Sequence, residues 1–482
     1  MNKRISIIVG IVALLVFFTA CEDFLYQEPR LSQTNELTLS TFEGLQSATL
    51  GAYTPLYSSN WYGRDFPVTA DLKGGNSKKG PISSGRFFTE YLWNNTPQAS
   101  HGLWTTAYNL IARVNNVINV IEDGFEEPGI AQADLDELVA ECKFLRGLAY
   151  FDLARLFCQP IAQGAGASQL GVPVVLVTEL GQPARNTLGE VYAQIESDLL
   201  AAEADLPTVS PNGGTDAKGW ATKYAAQALL ARYYLYTEDW QSAADYATAV
   251  ISSGQFPLYT AAQYTTWDQG GVWGTDGAPE IIFEIYGSEG NSSHSNWDVI
   301  SYIMSPEGYG DICASHDVYD LYEDTDVRKG MFRNYEPNYV NDLWSLKYPG
   351  KAPDGNLRED NIPVLRISEM YLIRAEAILQ GASVSGATAH GDLNTIRGNR
   401  GASLLDAGTT TLNSVYQERR MELCYEGHEL FDLARTGRNL VRVDYSGAVN
   451  QNIDFPDYRW AMPIPQAELD ANENMEQNPG YN

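Results

Sequence analysis

Two apolar helices joined by a very short turn constrain the fold of this chain more than any other feature. Residues 217–236 and 240–252 both have helical periodicity, and only three residues separate them. Helices joined by so short a turn must pack antiparallel. Small residues let the two backbones approach closely: Ala225, Ala228, Ala243 and Ala247. One hairpin cannot bury its own apolar face, so we expect neighbouring helices to stack on it.

Further helices follow from apolar residues spaced i, i+3, i+4 and i+7. This spacing predicts helices over 103–121, 133–158, 187–205, 362–380, 387–398, 412–424 and 428–436. Thr187 and Glu190 have the spacing of a capping box at the start of one of them. The sequence therefore predicts a mainly α fold, in which tetratricopeptide-like hairpins form a scaffold at about 40–260 and 361–460, although the full repeat signature is absent.

Residues 261–360 differ from the helical parts of the chain. They are rich in Gly, Asn, Ser, Trp and Tyr, and the sequence of residues 281–286 predicts one strand within them. Loops of this length in a compact protein are usually functional. We therefore expect a loop-rich insertion with a few short strands that binds a ligand.

The N-terminus has the pattern of an export signal. Lys3 and Arg4 precede an apolar run that ends at Ala20, too short for a typical membrane-spanning helix. Residues 18–21 (FTAC) resemble a bacterial lipoprotein cleavage site, with Phe18 in place of the usual Leu. We expect residues 1–20 to be a signal peptide, Cys21 to carry lipid, and 21–482 to form one domain; an ordinary signal peptide is the alternative.

Charge and motifs exclude several functions. The formal net charge is −29, which argues against nucleic acid as a partner, because phosphate binding needs basic surfaces. The sequence contains no H-E-x-x-H, P-loop or nucleophile-elbow motif, and no C-x-x-C pair. We expect no cofactor and no metal; residues 323–326 (EDTD) could bind calcium but are interpreted as a solvated acidic loop. Four cysteines beyond Cys21 are interpreted as isolated, half-buried thiols.

A family resemblance rests on several blocks of sequence that occur together in one order. The blocks are CEDFL (21–25), AECKFLRGLAYFDLARLF (140–157), RISEMYLIRAEA (366–377), LNTIR (393–397), NRGA (399–402), ERRMELCYEGH (418–428), DLARTG (432–437), PIP (463–465) and QNPGY (477–481). They resemble the SusD/RagB family and extend from Cys21 to the C-terminus.

The resemblance implies a lipid-anchored protein on the outer-membrane surface of Bacteroidetes-type bacteria. It implies a scaffold of four helical repeat pairs, no catalysis, and a partner that is a SusC-like TonB-dependent transporter. Its cargo would be an oligosaccharide, or a peptide in some members. A surface glycoside hydrolase and a structural adaptor that binds no ligand are further alternatives.

Charged residues inside the family blocks lie on apolar helices. They are Glu141, Arg146, Arg374, Glu376, Arg419, Arg420 and Glu426. A buried catalytic set would also contain such residues, but ion pairs and caps between helices fit the pattern better. We expect these residues to be structural, because breaking a buried pair costs about 3–5 kcal/mol.

Aromatic and polar residues in two loop regions are the candidate ligand contacts. Sugar rings stack on Trp and Tyr while neighbouring polar groups bind the hydroxyls. The candidates are Trp61, Tyr62, Arg64, Asp71, Asn76 and Arg86 in the first region, and Trp273, Asn291, Trp297, Tyr302 and Tyr309 in the second. The resemblance supports the two regions rather than individual contacts, and loop packing is the alternative role for each Trp.

Overall fold

The computed structural model describes residues 35–82, 84–164, 166–213, 217–264, 271–274, 277–287, 298–335, 337–350 and 359–481. The α-helices are Asn35–Thr38 (α1), Phe42–Tyr53 (α2), Asp65–Gly74 (α3), Phe88–Tyr91 (α4), Leu103–Glu122 (α5), Gln132–Phe157 (α6), Leu188–Asp205 (α7), Lys223–Thr237 (α8), Trp240–Ser252 (α9), Ala261–Tyr264 (α10), Ile300–Ile303 (α11), His316–Tyr319 (α12), Ile367–Leu379 (α13), Ala389–Asn399 (α14), Leu412–Leu423 (α15), Glu429–Arg435 (α16) and Gln466–Ala471 (α17). The strands are Ser77–Lys79 (β1), Ile281–Ile285 (β2), Ile312–Ala314 (β3), Phe332–Tyr335 (β4), Tyr339–Ser345 (β5) and Ile362–Arg366 (β6).

Stacked helices form the scaffold. Helix α6 packs between α5 and α7, α8 packs on α9, and α13 packs against α9, α14 and α15. The four alanines predicted to lie between α8 and α9 are fully buried. Thr187 accepts a hydrogen bond from the backbone N–H of Glu190, whose carboxylate accepts one from the Thr187 N–H, as the capping-box spacing predicted. The mainly α prediction is confirmed.

Two predicted helix starts are wrong. Residues 362–366 form β6, which pairs antiparallel with β2 from Ile285 opposite Ile362 to Ile281 opposite Arg366. Pro363 explains this first error. A residue that precedes proline disfavours the α region, so Ile362 is extended and the helix begins further along the chain. Helix α8 begins at Lys223, where the Thr222 side chain caps it, and residues 217–219 form a separate 3₁₀ turn.

The insertion forms a small antiparallel sheet in the order β1-β3-β5-β4. Strand β1 lies outside the insertion in sequence and pairs with β3, with Ser77 opposite Ala314. Strand β3 pairs with β5 through Ala314 and Leu343. The sheet therefore holds the first candidate loop region against the second.

A cluster of buried charged side chains joins the insertion to the scaffold. The insertion contributes Glu280, Asp326, Arg328 and Lys347, and the scaffold contributes Arg366, Arg397, Arg400, Glu418, Glu422 and Glu426. We call these residues the buried ion cluster. Arg366 lies 3.0 Å from a carboxylate oxygen of both Glu280 and Glu422, and 2.6 Å from Glu426. The acidic segment 323–326 contributes Asp326 to this cluster, so its interpretation as a solvated loop is wrong for that residue.

Glu422 lies at the centre of the buried ion cluster. Its carboxylate contacts Arg328 and Arg366 at 3.0 Å and Arg400 at 2.9 Å. Burial acts to raise the pKa of Glu422, but the three guanidinium groups outweigh it and hold the pKa well below its ordinary value. The cluster therefore depends on an ionised Glu422.

Other charged residues of the family blocks also have structural partners. Arg146 binds Asp198 at 2.7 Å, Arg374 binds Asp392 at 2.6 Å, and Glu376 binds Arg435 at 2.6 Å. Arg419 binds Asp432 at 3.1 Å. Glu141 instead accepts a hydrogen bond from the Tyr53 hydroxyl. Arg420 donates to Asn76 and lies 3.8 Å from a carboxylate oxygen of Glu429. The structural interpretation holds for these contacts, although not every one is an ion pair.

The four cysteines beyond Cys21 are unpaired, as predicted, but they are buried rather than half-buried. Cys21 itself lies outside the described residues. Within the described part of the chain, no helix combines the length and apolar character that crossing a membrane requires.

Replacing Glu422 tests the buried ion cluster. We expect Glu422→Gln to lower the free energy of unfolding by about 3–5 kcal/mol, because three buried guanidinium groups lose a common anion. The matched control is Glu323→Gln, whose side chain is 38% exposed and pairs with Arg397. The control should lose less than about 1 kcal/mol. Urea denaturation measures both, and equal losses would contradict a central role for Glu422.

At acidic pH, the free energies of unfolding of the wild type and of Glu422→Gln should become more similar. A carboxylate whose folded pKa is depressed stabilises the fold above its unfolded pKa, and this contribution disappears as pH falls through the folded pKa. We therefore expect the difference in unfolding free energy to be constant at neutral pH and to shrink below the ordinary Glu value of 4.5. A difference that grows on acidification would contradict the depressed pKa.

Candidate ligand-binding site

Four of the candidate residues in the first loop region lie in the core. Trp61, Tyr62, Asp71 and Asn76 are all buried. The Trp61 indole N–H donates to Asp152 at 2.7 Å, and its ring stacks on Tyr62 with centroids 5.7 Å apart. These side chains therefore offer no surface to a ligand in this conformation, and the expectation that they contact one is corrected to a structural role.

Asp71 shows why a polar residue in this region is buried. Its carboxylate accepts hydrogen bonds from the backbone N–H groups of Tyr425 and Gly427 at 2.8 and 3.0 Å, and from the Asn76 side-chain amide at 2.8 Å. These bonds tie the end of α3 to the turn after α15. Asp71 and Asn76 thus join distant segments of the chain.

Trp273 packs against the buried ion cluster. Its ring centroid lies 4.7 Å from the Lys347 ammonium nitrogen and 5.0 Å from the Arg366 guanidinium carbon. A ring already engaged by two cations is poorly placed to stack on a sugar, so these contacts favour loop packing for Trp273. Asn291 and Trp297 lie outside the described residues.

The remaining four candidates come together at the surface. The Arg86 guanidinium carbon lies 4.5 Å from the centroid of the Tyr309 ring, and Tyr302 meets Tyr309 edge-to-face at 5.7 Å. Arg64 forms an ion pair with Asp298, and Arg86 approaches the same carboxylate at 3.8 Å. We call Arg64, Arg86, Asp298, Tyr302 and Tyr309 the arginine–tyrosine cluster. It unites the two loop regions that the sequence singled out.

Backbone contacts hold the arginine–tyrosine cluster in place. The N–H of Ile300 donates to Gly63 at 2.8 Å, and the N–H of Tyr309 donates to Tyr302 at 2.7 Å. Gly308 closes the turn between the two tyrosines, where a Cβ would lie 2.5 Å from the Tyr302 carbonyl oxygen. Only glycine fits there without a shift of backbone, so the relative position of the two rings is fixed by the chain.

Asp311 anchors the first loop region beneath the cluster. This buried carboxylate accepts hydrogen bonds from the Ser84 N–H at 2.5 Å and the Ser84 hydroxyl at 2.7 Å. Lys79 lies 3.7 Å from it; burial lowers the pKa of Lys79, and the charge of Asp311 partly offsets this effect. Ser84 also accepts a hydrogen bond from Arg86 at 2.9 Å, which orients the guanidinium.

The electrostatics of the cluster suit hydrogen bonding to a neutral ligand. Burial acts to lower the pKa of Arg64, but its bonds to Asp65 and Asp298 raise it, so this guanidinium stays charged. The Arg86 side chain is 36% exposed and that of Asp298 is 30% exposed. The cluster thus presents partly open donors and acceptors beside two tyrosine rings, which is the combination a sugar requires.

Sequence reasoning missed Asp298 and the aromatic pair beside Arg86. Phe87 lies 5.6 Å from the Arg64 guanidinium and adopts a left-handed φ of 59°, which is unusual for a bulky residue. Backbone strain of the kind seen at Phe87 clusters at ligand sites. The neighbouring Phe88 is 54% exposed. The run of Gly85, Arg86 and two phenylalanines was a signal that could have identified this position.

Two family models match the chain. The model described as "SusD family" matches residues 329–481, and one described as "Starch-binding associating with outer membrane" matches residues 23–235. A SusD superfamily protein of Bacteroides thetaiotaomicron, solved by crystallography, is 30% identical; the alignment covers 91% of this chain and 100% of that one, with a TM-score of 0.83. The chain belongs to the SusD/RagB family.

Other SusD-like relatives extend the comparison. SusD-like protein P38 of Formosa agariphila is 27% identical over 99% of both chains. The starch-binding protein SusD of Bacteroides thetaiotaomicron is 33% identical over 126 residues, which are 26% of this chain and 22% of that one. The two matched family models flank residues 236–328, which contain Asp298, Tyr302 and Tyr309. Three of the five residues of the arginine–tyrosine cluster in this SusD/RagB protein therefore lie between the matched stretches.

Conservative substitutions separate the core role of Trp61 from the surface position of Tyr309. We expect Trp61→Phe to lower the free energy of unfolding by about 1.5–3 kcal/mol, because the buried Asp152 carboxylate loses a donor. Tyr309→Phe, at a half-buried site, should change it by less than about 1 kcal/mol. Urea denaturation compares the two variants. Equal stability of Trp61→Phe and the wild type would contradict the structural role of Trp61.

Proposed function

We propose that this protein is a non-catalytic glycan-binding lipoprotein of the outer-membrane surface, and that it captures oligosaccharides at the arginine–tyrosine cluster. The observation that supports it is the convergence of Arg86, Tyr302 and Tyr309 from two separate loop regions. The family supports the ligand class, since one matched family model is described as starch-binding and associated with the outer membrane.

The mechanism is capture by stacking and hydrogen bonding. A sugar ring would lie against the accessible part of the Tyr302–Tyr309 pair, while Arg86 and Asp298 would bind its hydroxyls. Such a stacking contact contributes only about 0.5–1.5 kcal/mol beyond area burial. The resulting affinity is modest, which suits a protein that must release its cargo.

Transfer of the cargo completes the proposal. The captured oligosaccharide would pass to a SusC-like TonB-dependent transporter, with Cys21 as the lipid-bearing residue that keeps the protein at the membrane. The helical scaffold would supply the rigid body that docks on the transporter. Isolation of the protein from outer membranes together with such a transporter, and mass analysis of the N-terminal lipid, would test these two parts directly.

Substitutions in the cluster test capture. On a panel of neutral oligosaccharides, we expect Tyr309→Ala to weaken binding about three- to tenfold through lost stacking. Arg86→Ala should weaken it further, because Arg86 both packs on Tyr309 and supplies donors. The matched controls are Tyr246→Ala, which removes a tyrosine ring from α9, and Arg113→Ala, which removes an exposed arginine from α5. Isothermal titration calorimetry measures the affinities.

Parallel assays distinguish the rival functions. A peptide library screened beside the glycans should give no binding that depends on Arg86 and Tyr309; such binding would indicate the peptide-binding alternative. Release of reducing ends from a polysaccharide by the pure protein would indicate a glycoside hydrolase instead. Unchanged glycan affinity in both cluster variants would place the site elsewhere on the protein.

A further inference from the structure

A separate cleft among the described residues is formed by parts of the chain outside the arginine–tyrosine cluster. It has a volume of about 550 Å³ and a mainly apolar lining. It is formed where α6 ends, between loop residues 159–164 and 166–170 on one side and two C-terminal segments, 455–461 and 478–479, on the other. None of its lining residues belongs to the loop regions that carry the proposed capture site. Its size is within the range typical of small-ligand sites.

Four carboxamide side chains line this cleft, and their nitrogens are already bound. The Gln159 amide donates to the carbonyls of Asp457 and Tyr458, both at 3.1 Å. The Gln163 amide donates to Arg435 at 3.0 Å and the Gln169 amide to Pro160 at 3.2 Å. The Asn478 amide donates to Phe157 and Met462, both at 2.7 Å. These bonds fix the orientation of each carboxamide.

The four carboxamide oxygens, in contrast, accept no hydrogen bond from any residue that the structure describes. None of them is a fully buried atom without a partner, so they remain accessible. The four oxygens are therefore left for a ligand, together with one N–H each of Gln163 and Gln169, because a carboxamide carries two N–H groups and these two amides make one hydrogen bond each. The cleft thus offers fixed, neutral hydrogen-bonding groups, of which four are acceptors and two are donors.

Aromatic side chains of the cleft are held rigidly. Tyr458, which is 44% exposed, meets Tyr481 edge-to-face at 4.9 Å. The backbone of Gly480 lies against the Tyr458 ring, since a Cβ there would be 2.5 Å from the ring carbon Cγ. Phe455 packs on the buried Trp460 at 5.7 Å. A ligand would meet preorganised rings and would order few side chains on binding.

The chemistry of the cleft selects among ligand classes. Anions are disfavoured, because the described lining of the cleft contains no lysine or arginine and its one charged residue is Asp457. A peptide presents as many backbone carbonyls as N–H groups, whereas the carboxamides leave four acceptors and only two N–H donors. A sugar hydroxyl can turn its hydrogen toward whichever acceptor is present, and the C–H face of its ring packs on Tyr458 and Phe455.

We propose that this cleft is a second carbohydrate-binding site, which takes a short neutral oligosaccharide through the four carboxamide oxygens and the Tyr458 ring. It shares the ligand class of the proposed function but none of its residues, so either site can fail without the other. A second site would raise the effective affinity for a long glycan chain that reaches both.

The test measures binding of maltohexaose, cellohexaose, laminarihexaose, xylohexaose and mannohexaose to the purified protein by NMR titration. The cleft variants are Tyr458→Ala, which removes the exposed ring, and Gln169→Leu, which removes one acceptor at similar size. Tyr309→Ala reports on the capture site, and Tyr246→Ala is the matched tyrosine control. Thermal unfolding midpoints verify that each variant is folded, and crystals soaked with the bound sugar locate it.

We expect at least one sugar to bind about three- to tenfold more weakly to Tyr458→Ala and Gln169→Leu than to the wild type. That binding should be unchanged in Tyr309→Ala and Tyr246→Ala, and the soaked crystal should show the sugar against Tyr458. Binding of every sugar unaffected by both cleft variants would overturn the proposal. Pentapeptides that bind in a Tyr458-dependent manner, with no sugar doing so, would overturn the ligand class.

Discussion

The buried ion cluster is the constraint on which the arrangement of this protein depends. Its acidic and basic side chains are equal in number, and they come from both the insertion and the scaffold. Burying an ionised side chain without a partner has a large unfavourable desolvation free energy. This free energy is offset only when the opposite charges and hydrogen bonds are all in place. The neutral cluster therefore exists only when the insertion is seated on the scaffold in one register.

That register has a consequence for the surface. The same insertion that supplies Glu280, Arg328 and Lys347 to the cluster also carries Tyr302 and Tyr309, and β3 holds it against β1 of the first loop region. Fixing the buried charges thus fixes the distance between Arg86 and the tyrosine rings. A binding surface assembled from loops gains rigidity from charges that no ligand touches.

The scaffold could be predicted from the sequence because its signals are local. Apart from the starts of α8 and α13, apolar spacing and the Thr187–Glu190 cap define the helices within a few residues of the observed bounds. Strand β6 could not be predicted, because its partner β2 lies some eighty residues earlier and only Pro363 hinted at the boundary. The structural role of the charged family residues was predictable, since charges on apolar helices need partners, but the identity of each partner was not.

The candidate site was predictable as two regions and not as individual residues. Trp61 and Arg86 are both polar-tipped side chains in a loop region, yet one is buried and the other is partly exposed. Asp152, which is 91 positions from Trp61 in sequence, accepts its indole hydrogen and so satisfies the polar end of the buried ring. A single sequence does not show where such a distant partner will lie.

The two surface sites differ in the hydrogen-bonding groups that they leave unused. The arginine–tyrosine cluster offers guanidinium donors and the Asp298 carboxylate, whereas the cleft between loop residues 159–164 and 166–170 and the C-terminal segments offers four carboxamide oxygens and two amide N–H groups. A ligand with only donors or only acceptors would satisfy each site in part. Hydroxyl groups donate and accept equally well. We therefore propose the same ligand class, a neutral glycan, for both surfaces, even though the sites share no residue and are built from different parts of the chain.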